Sequence, residues 1–460
     1  MQSLQPDNLR QALALAGVPP QSVLTDGINR MRLDAVREGS CLADSGALAG
    51  RSVLVAVATQ FEAALTLIEL DGVARRLILM PPDVRPEHLG AIIRDSEADA
   101  IVCSDIEAFS SSGIEQIHLC QLDPRPRASG KVLARRTEWL MLTSGTTGDP
   151  KIAIHTLKGL TGAIAATEPD APRPIWATFY DIRRYGGLQI FLRAMLSGGS
   201  LVLSQPGEAV ADHLARLGAE GVTHVSGTPT HWRRALMSAA LANFHPSYVR
   251  LSGEIADQAI LDALHAAFPN ASIGHAYAST EAGVGFDVND GREGFPASYL
   301  DQPRNGVEMR IAEGSLRIRS PRMASAYAGR PDLAMSDEDG WVDTGDMVEI
   351  RDGRCHFAGR RGGIINVGGL KVHPEEIETV INRHAAVRQS RVKPRKSPII
   401  GAIVVADIVL REAPQNADEL KQDILALCRS TLPSHKIPAL LNIVPSIEMT
   451  AGGKVSRQHA

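Results

Sequence analysis

Residues 142–151 read L-T-S-G-T-T-G-D-P-K. The apolar run W-L-M-L at 139–142 reads as a strand. It delivers a turn with three hydroxyl residues (Ser144, Thr146, Thr147), two glycines (Gly145, Gly148) and Lys151. Glycines let backbone N–H groups approach phosphate oxygens, hydroxyls add donors, and lysine adds a compact positive charge, so this is the chemistry of a loop that holds polyphosphate. A Walker A loop needs glycine directly before the lysine and a hydroxyl residue directly after it. Pro150 and Ile152 occupy those places, so the loop is of another kind. Composition alone leaves a polar hairpin turn equally open.

A chain of 460 residues exceeds what one hydrophobic core supports, so two or more domains are expected. With 44% hydrophobic and 22% charged residues the composition is that of an ordinary globular protein. A formal net charge of −4 argues against general nucleic-acid binding. Cys41, Cys103, Cys120, Cys355 and Cys428 show no C-x-x-C spacing, which argues against a disulfide framework or a zinc site and for reduced thiols in a cytoplasmic protein. The first residues lack the basic-then-apolar order of a signal peptide, and the longest apolar run, 398–410, is too short to span a membrane and holds Asp407.

Taken in order, residues 7–16 read as a helix capped by Asp7 and stopped by Gly17 and Pro19-Pro20. From Ser52 strands (52–58, 76–80, 100–104) alternate with helices (60–70, 86–95). Beyond the glycine-rich loop the alternation resumes: helix 188–196, strand 200–203, helix 208–218, strands 224–226 and 249–252, helix 257–268 and strand 272–277. Such alternation predicts an α/β fold of layered, mostly parallel sheets with helices on their faces. Short strands from 307 to 358 predict a small β-rich subdomain. The tail (helix 374–382, strands 387–393 and 399–410, helix 417–431, strand 440–444) predicts a compact α+β unit. The flexible G-R-R-G-G run puts the boundary between residues 1–360 and 361–460.

Four further segments carry chemistry. In H-A-Y-A-S-T-E-A-G (275–283), Thr280 and Glu281 fall at the carboxyl end of a strand, where ligands bind in open α/β sheets, and a carboxylate beside phosphates suits magnesium. The same pair could simply start a helix. L-S-G-E-I (251–255) is a strand-to-helix turn. In D-T-G-D (343–346) a carboxylate on a tight turn can accept both hydroxyls of a ribose, although a plain β-turn has the same composition. Lys454, on the glycine-rich turn T-A-G-G-K-V-S-R (450–457), is by default a solvated charge.

Together, and in this order, these segments resemble the signatures of the adenylate-forming superfamily, which includes acyl- and aryl-CoA ligases, peptide-synthetase adenylation domains and luciferase; D-G…F-x-G-R at 352–360 extends the match. The resemblance implies that Thr143, Ser144, Gly145, Thr146, Thr147, Gly148 and Lys151 hold the phosphates of ATP. Gly253 and Glu254 would meet the adenine and Tyr277 would flank it. Thr280 would contact a phosphate, Glu281 would hold Mg2+, and Asp346 and Arg360 would bind the ribose. Lys454 would reach the carboxylate and α-phosphate on a mobile C-terminal domain that pivots at Gly362, where the family usually has Asp or Lys. Gly369 belongs to the loop near the thiol's access path.

By the same resemblance T-F-Y-D-I-R-R-Y-G-G-L (178–188) borders the acid pocket. Arg183 stands where many ligases have histidine, and Tyr185 falls on the family's aromatic position. Arg183 would pair either with an acidic group of a ligand or in a structural salt bridge. Asp181 invites comparison with the aspartate of amino-acid adenylation domains, but its spacing fits poorly. Gly227 and Thr228 would lie along the pocket, Ala278 and Ser279 would form its wall, and Gly283 and Gly285 would leave it room. The basic run 391–396 would be a solvated loop or greet the phosphates of coenzyme A or an acidic carrier protein. Relative to the family, the strands before Ser52 read as trimmed.

The function implied is ATP-dependent activation of a small carboxylic acid as an acyl-adenylate, followed by transfer to a thiol, foremost coenzyme A. Loading onto a carrier protein's phosphopantetheine, or activation of an amino acid, is the enzymatic alternative. A nucleotide-binding regulatory protein that has lost thioesterification is the other. The expected partners are the acid and possible acyl carrier protein, without nucleic acid or membrane, in a monomer or homodimer.

Overall fold

Thr59 starts the helix around which the two main sheets are stacked. Its hydroxyl accepts Glu62 N–H while the Glu62 carboxylate accepts Thr59 N–H, a reciprocal cap on helix Gln60–Leu70. Every residue of that helix is buried, as befits a helix enclosed between layers. The structure, a computed structural model, describes residues 6–123, 125–126, 135–143, 150–165, 171–367, 370–397, 401–450 and 452–456. Ser144, Gly145, Thr146, Thr147, Gly148 and Gly369 lie outside the described residues.

Among the described residues one sheet has seven strands. Glu138–Thr143, Arg76–Leu79, Ser52–Ala56, Ala100–Cys103 and Gln116–Leu119 run parallel, and Lys151–Thr156 and Ala326–Tyr327 extend it antiparallel. The second has eight. Ser272–Ser279, Tyr248–Ser252, His224–Gly227, Ile175–Thr178, Ser200–Val202 and Val23–Thr25 are parallel, with Gly283–Val288 and Arg30–Arg32 antiparallel at the edges. Val53, Leu77, Phe61, Leu65, Phe191 and Leu201 join both sheets in one core. A five-stranded antiparallel sheet built on Val342–Arg351 and Arg354–Arg360 forms the β-rich subdomain. Beyond it, helices Pro374–Asn382 and Ala417–Thr431 pack on strands Val387–Ser397, Gly401–Leu410 and Leu440–Ile443. This small C-terminal domain has a core of its own, including Val372, Ile377, Ala406, Ile424 and Leu441.

Three expectations are corrected. The region before Ser52 is not trimmed of strands, since Val23–Thr25 and Arg30–Arg32 form a hairpin on the second sheet; three-residue strands are too short to show periodicity. The first helix runs Leu9–Ala16 and its cap is Asn8, which accepts Gln11 N–H at 2.9 Å, not Asp7. The basic run 391–396 lies on a strand, and Arg391 and Lys393 both pair with the buried Asp407 at 2.7 Å.

The strand leading to the glycine-rich loop is anchored at its start. Asp71, buried just past the central helix, accepts Trp139 Nε1–H at 3.2 Å and Leu9 N–H at 2.8 Å. Burial pushes its carboxyl up to about 7, whereas in the unfolded chain an aspartate titrates at about 3.9. The folded state therefore keeps a proton that the unfolded state releases, and this group's contribution to stability falls as pH rises from about 4 to about 7. Asp71→Asn cannot ionise. Urea midpoints measured across this interval should decline less steeply with pH for the variant than for the parent; equal slopes would refute the assignment.

Candidate active site

Gly253 and Glu254 follow strand Tyr248–Ser252, and Thr280 and Glu281 follow its parallel neighbour Ser272–Ser279. Adjacent parallel strands put both turns at the same edge of the sheet. The last described segment of the chain docks there. Met449 pairs with Val455, Thr450 N–H donates to the Lys454 carbonyl at 2.7 Å and Gly453 N–H to the Thr450 carbonyl at 2.9 Å, so Met449 and Thr450 lie against Lys454 and Val455 as the two arms of a hairpin. The Glu254 carboxylate accepts Val455 N–H at 2.9 Å and Thr230 N–H at 3.0 Å. Thr228, the N-cap of helix Pro229–Ala235, accepts His231 N–H and donates its hydroxyl to the Gly453 carbonyl at 2.7 Å. Gly453 has φ +72°, and a Cβ there would lie 2.0 Å from His231 Cε1, so only glycine fits.

This docking carries Lys454 into the cleft, where a Cβ placed on Gly253 would be 3.5 Å from its Cε. Lys454 as a whole stays exposed, but the protein crowding its amine, and then Arg360, lower its pKa, while Glu254 and Asp346 oppose them. Arg360 and Asp346 form the neighbouring wall. Arg360 Nε–H donates to Asp346 Oδ1 at 2.9 Å, and the Tyr277 hydroxyl donates to Asp346 Oδ2 at 2.6 Å. The Tyr277 ring is held by stacking on Phe286 and Phe357 at 5.6 and 5.4 Å. Each carboxylate oxygen of Asp346 keeps a lone pair for a further donor.

On the phosphate side, hairpin register puts Thr143 opposite Lys151. Lys151 Nζ lies 5.3 Å over the Tyr327 ring, and the Tyr327 hydroxyl donates to Glu281 Oε1 at 3.4 Å. His155 bonds the Thr280 carbonyl through Nε2 at 2.8 Å. Burial pushes His155 down to about 4, so it is neutral near pH 7 and donates Nε2–H. Among the described residues no group of three or more His, Cys, Asp or Glu gathers as a metal site.

The expected pocket residues divide. Tyr185 opens helix Tyr185–Ser197 with its ring 5.6 Å from that of His155. Ala278 packs on the main core, and Ser279 Oγ accepts Ala282 N–H at 2.9 Å. Arg183 is the structural salt bridge of its two readings: 2% exposed, its guanidinium donates to Asp181 at 2.8 and 2.6 Å and to the Val57 carbonyl at 2.5 Å, so its charge is compensated within the protein. Gly283 does not give the pocket room, because a Cβ there would meet the Arg322 carbonyl at 2.4 Å. Gly285 faces Tyr277 and Ile318, and Gly227 faces Phe179. Thr228 serves the C-terminal hairpin. Gly362 is exposed in the turn Arg361–Gly363 with nothing within 4 Å of a Cβ there. His155, His231 and Tyr327 escape sequence reasoning because their contacts join segments that carry no local pattern.

Comparison with known proteins agrees with this geometry. The AMP-binding enzyme family profile matches residues 30–327, and that of the AMP-binding enzyme C-terminal domain matches 376–454. A 2-succinylbenzoate–CoA ligase of Salmonella typhimurium is 26% identical over 437 residues, covering 93% of this chain and 90% of the relative. One from Listeria monocytogenes is 27% identical over 381 residues, covering 78% and 77%. The fold is that of an anthranilate CoA ligase in complex with anthranoyl-AMP (TM-score 0.83, 18% identity, 97% of this chain and 95% of that one). It is also that of a benzoate CoA ligase from Burkholderia xenovorans LB400 (TM-score 0.82, 18% identity, 97% and 98%). With both profiles matched in order over most of its length, the chain belongs to the AMP-binding enzymes of the adenylate-forming superfamily.

Proposed function

We propose that this protein is an AMP-forming acid–CoA ligase acting on an aryl or short to medium acyl acid. The observation that carries the reading is the seating of Lys454 beside Gly253, against the Asp346–Arg360 wall. That is the arrangement needed to put a cation where charge develops at an α-phosphate. The relatives compared above are named for acids that carry a benzene ring.

In the first half-reaction a carboxylate oxygen of the acid bonds to the α-phosphorus of ATP, the bond from that phosphorus to the bridging oxygen breaks, and pyrophosphate leaves. Asp346 accepts ribose hydroxyls, Arg360 and Tyr277 hold that carboxylate in place, and Lys454 stabilises the charge on the α-phosphate. Lys151, with the loop that precedes it, holds the departing phosphates. Glu281 is a half-buried carboxylate with lone pairs free beyond its bond to Tyr327. It fits Mg2+, which takes one or two protein carboxylates and otherwise phosphates and water. When bound, that ion would neutralise phosphate charge.

In the second half-reaction the C-terminal domain, residues 361–460, turns about Gly362 and withdraws Lys454. The thiolate of coenzyme A attacks the acyl carbon, the bond to AMP breaks, and AMP leaves. Transfer to a carrier-protein phosphopantetheine is the alternative acceptor.

Acid-dependent ATP–pyrophosphate exchange across aryl, acyl and amino acids tests the first half-reaction; no exchange with any acid, despite ATP binding, would sink the proposal. Lys454→Ala should lower exchange by about 100- to 1,000-fold yet spare thioester formation from supplied acyl-AMP, and equal loss of both steps would contradict the two-pose mechanism. Gly453→Ala, which pushes the hairpin off His231, should slow adenylation by about 100-fold. Adding His231→Gly should restore much of that rate, and failure of the double variant to recover would refute the seating as the cause.

A further inference from the structure

The helix Tyr185–Ser197 turns three polar side chains, Tyr185, Gln189 and Arg193, to one face, because residues four apart in a helix lie in line. That face looks onto strands Tyr248–Ser252 and Gly283–Val288. The Tyr185 hydroxyl lies against the Val284 backbone without a well-formed hydrogen bond. Gln189 donates through Nε2 to the Leu160 carbonyl at 3.0 Å while its Oε1 is buried without a partner. Arg193 Nε is likewise buried and unpartnered, and among the described residues Arg193 has no carboxylate within ion-pair distance.

The charges around Arg193 do not balance. Arg250 is paired with Asp287. Among the described residues the Arg322 guanidinium bonds only the Val284 and Asn305 carbonyls, at 3.2 and 2.9 Å. Three guanidinium groups therefore share one carboxylate. Burial, and then Arg250, push Arg193 down to about 10, so it is still protonated at neutral pH. The residue as a whole nevertheless remains partly accessible. A buried charge without a counter-ion is unfavourable, and here the counter-ion can come from a ligand.

We propose that the acid pocket ends in an anion site formed by Arg193, near the Arg250–Asp287 pair, so that the preferred acid carries a second carboxylate remote from the one that is activated. The proposal rests on the acid-activation reading above and narrows its substrate class. Tyr185 marks the reacting end, because its ring neighbours His155, which bonds the Thr280 carbonyl. Arg193 stands eight residues further along the helix, about 12 Å away at 1.5 Å per residue. That span suits one aromatic ring with a short side chain, or a medium-chain diacid. Arg193 binds the distal carboxylate through charge-assisted, bidentate hydrogen bonds.

The test is kcat/KM, by pyrophosphate release, for matched pairs: benzoate against terephthalate, and octanoate against octanedioate. The parent enzyme should prefer a diacid over its monoacid. Arg193→Gln should lower the diacid-to-monoacid ratio by about 100-fold, and Arg193→Lys should recover part of it. A parent enzyme that prefers every monoacid, or an Arg193→Gln variant with an unchanged ratio, overturns the distal anion site while leaving acid activation standing. Absence of release with all these acids and with the broader panel overturns acid activation, and this proposal with it. If Arg193→Gln fails to fold, the preference of the parent enzyme and the Arg193→Lys ratio still decide.

Discussion

The carboxylate of Glu254 accepts backbone N–H groups from two places far apart in the chain, Thr230 at a helix start and Val455 near the C-terminus. Both donors are main-chain N–H groups, so the bridge needs only the Glu254 side chain and the paths of two backbone segments. Charge-assisted bonds of this kind are stronger than neutral ones. Once the bridge forms, the orientation of the C-terminal hairpin follows. The Thr228 hydroxyl meets the Gly453 carbonyl, and Lys454 projects toward Gly253. Almost everything else in the cleft is arranged around the cation delivered this way.

The electrostatics of the cleft are a balance more than a sum. Arg360 lies close enough to Lys454 to weaken its hold on a proton, yet Asp346 binds Arg360 and Glu254 lies on the opposite flank. Asp346 pairs with Arg360, and both Asp346 and Glu254 favour the charged form of the Lys454 amine. On the proposed function, a nucleotide would meet positive groups that are already oriented, with little reorganisation left for the moment of reaction.

Elements with a strong periodic pattern and clear end signals were legible in the sequence to the residue. The helices Gln60–Leu70, Pro374–Asn382 and Ala417–Thr431 have a cap or a first-turn proline and a continuous apolar face. Val23–Thr25 and Arg30–Arg32 were not legible, because strands of three residues are made by their neighbours in the sheet. The motif residues of the cleft could be found by resemblance because each sits on a short contiguous string. The partners that hold them could not. Tyr327 reaches Glu281 across 46 residues of chain, and His155 reaches Thr280 across 125. Arg183 shows the opposite limit: its string pointed to the pocket, but an aspartate two residues earlier captures the guanidinium. Asp407, which interrupts the apolar run 398–410, is the shared counter-ion of Arg391 and Lys393.

The glycine that seats the hairpin on His231 has a consequence for how such a chain can change over time. Positions 231 and 453 occupy one volume, since any carbon added at 453 overlaps the imidazole. Position 453 is not free to drift alone. The φ of +72° already favours glycine at 453, and a larger residue could follow there only in a lineage that has first replaced the histidine by something smaller, so the order of substitutions matters as much as their identity. The two ends of the active cleft, though encoded in different domains, are bound to a shared history.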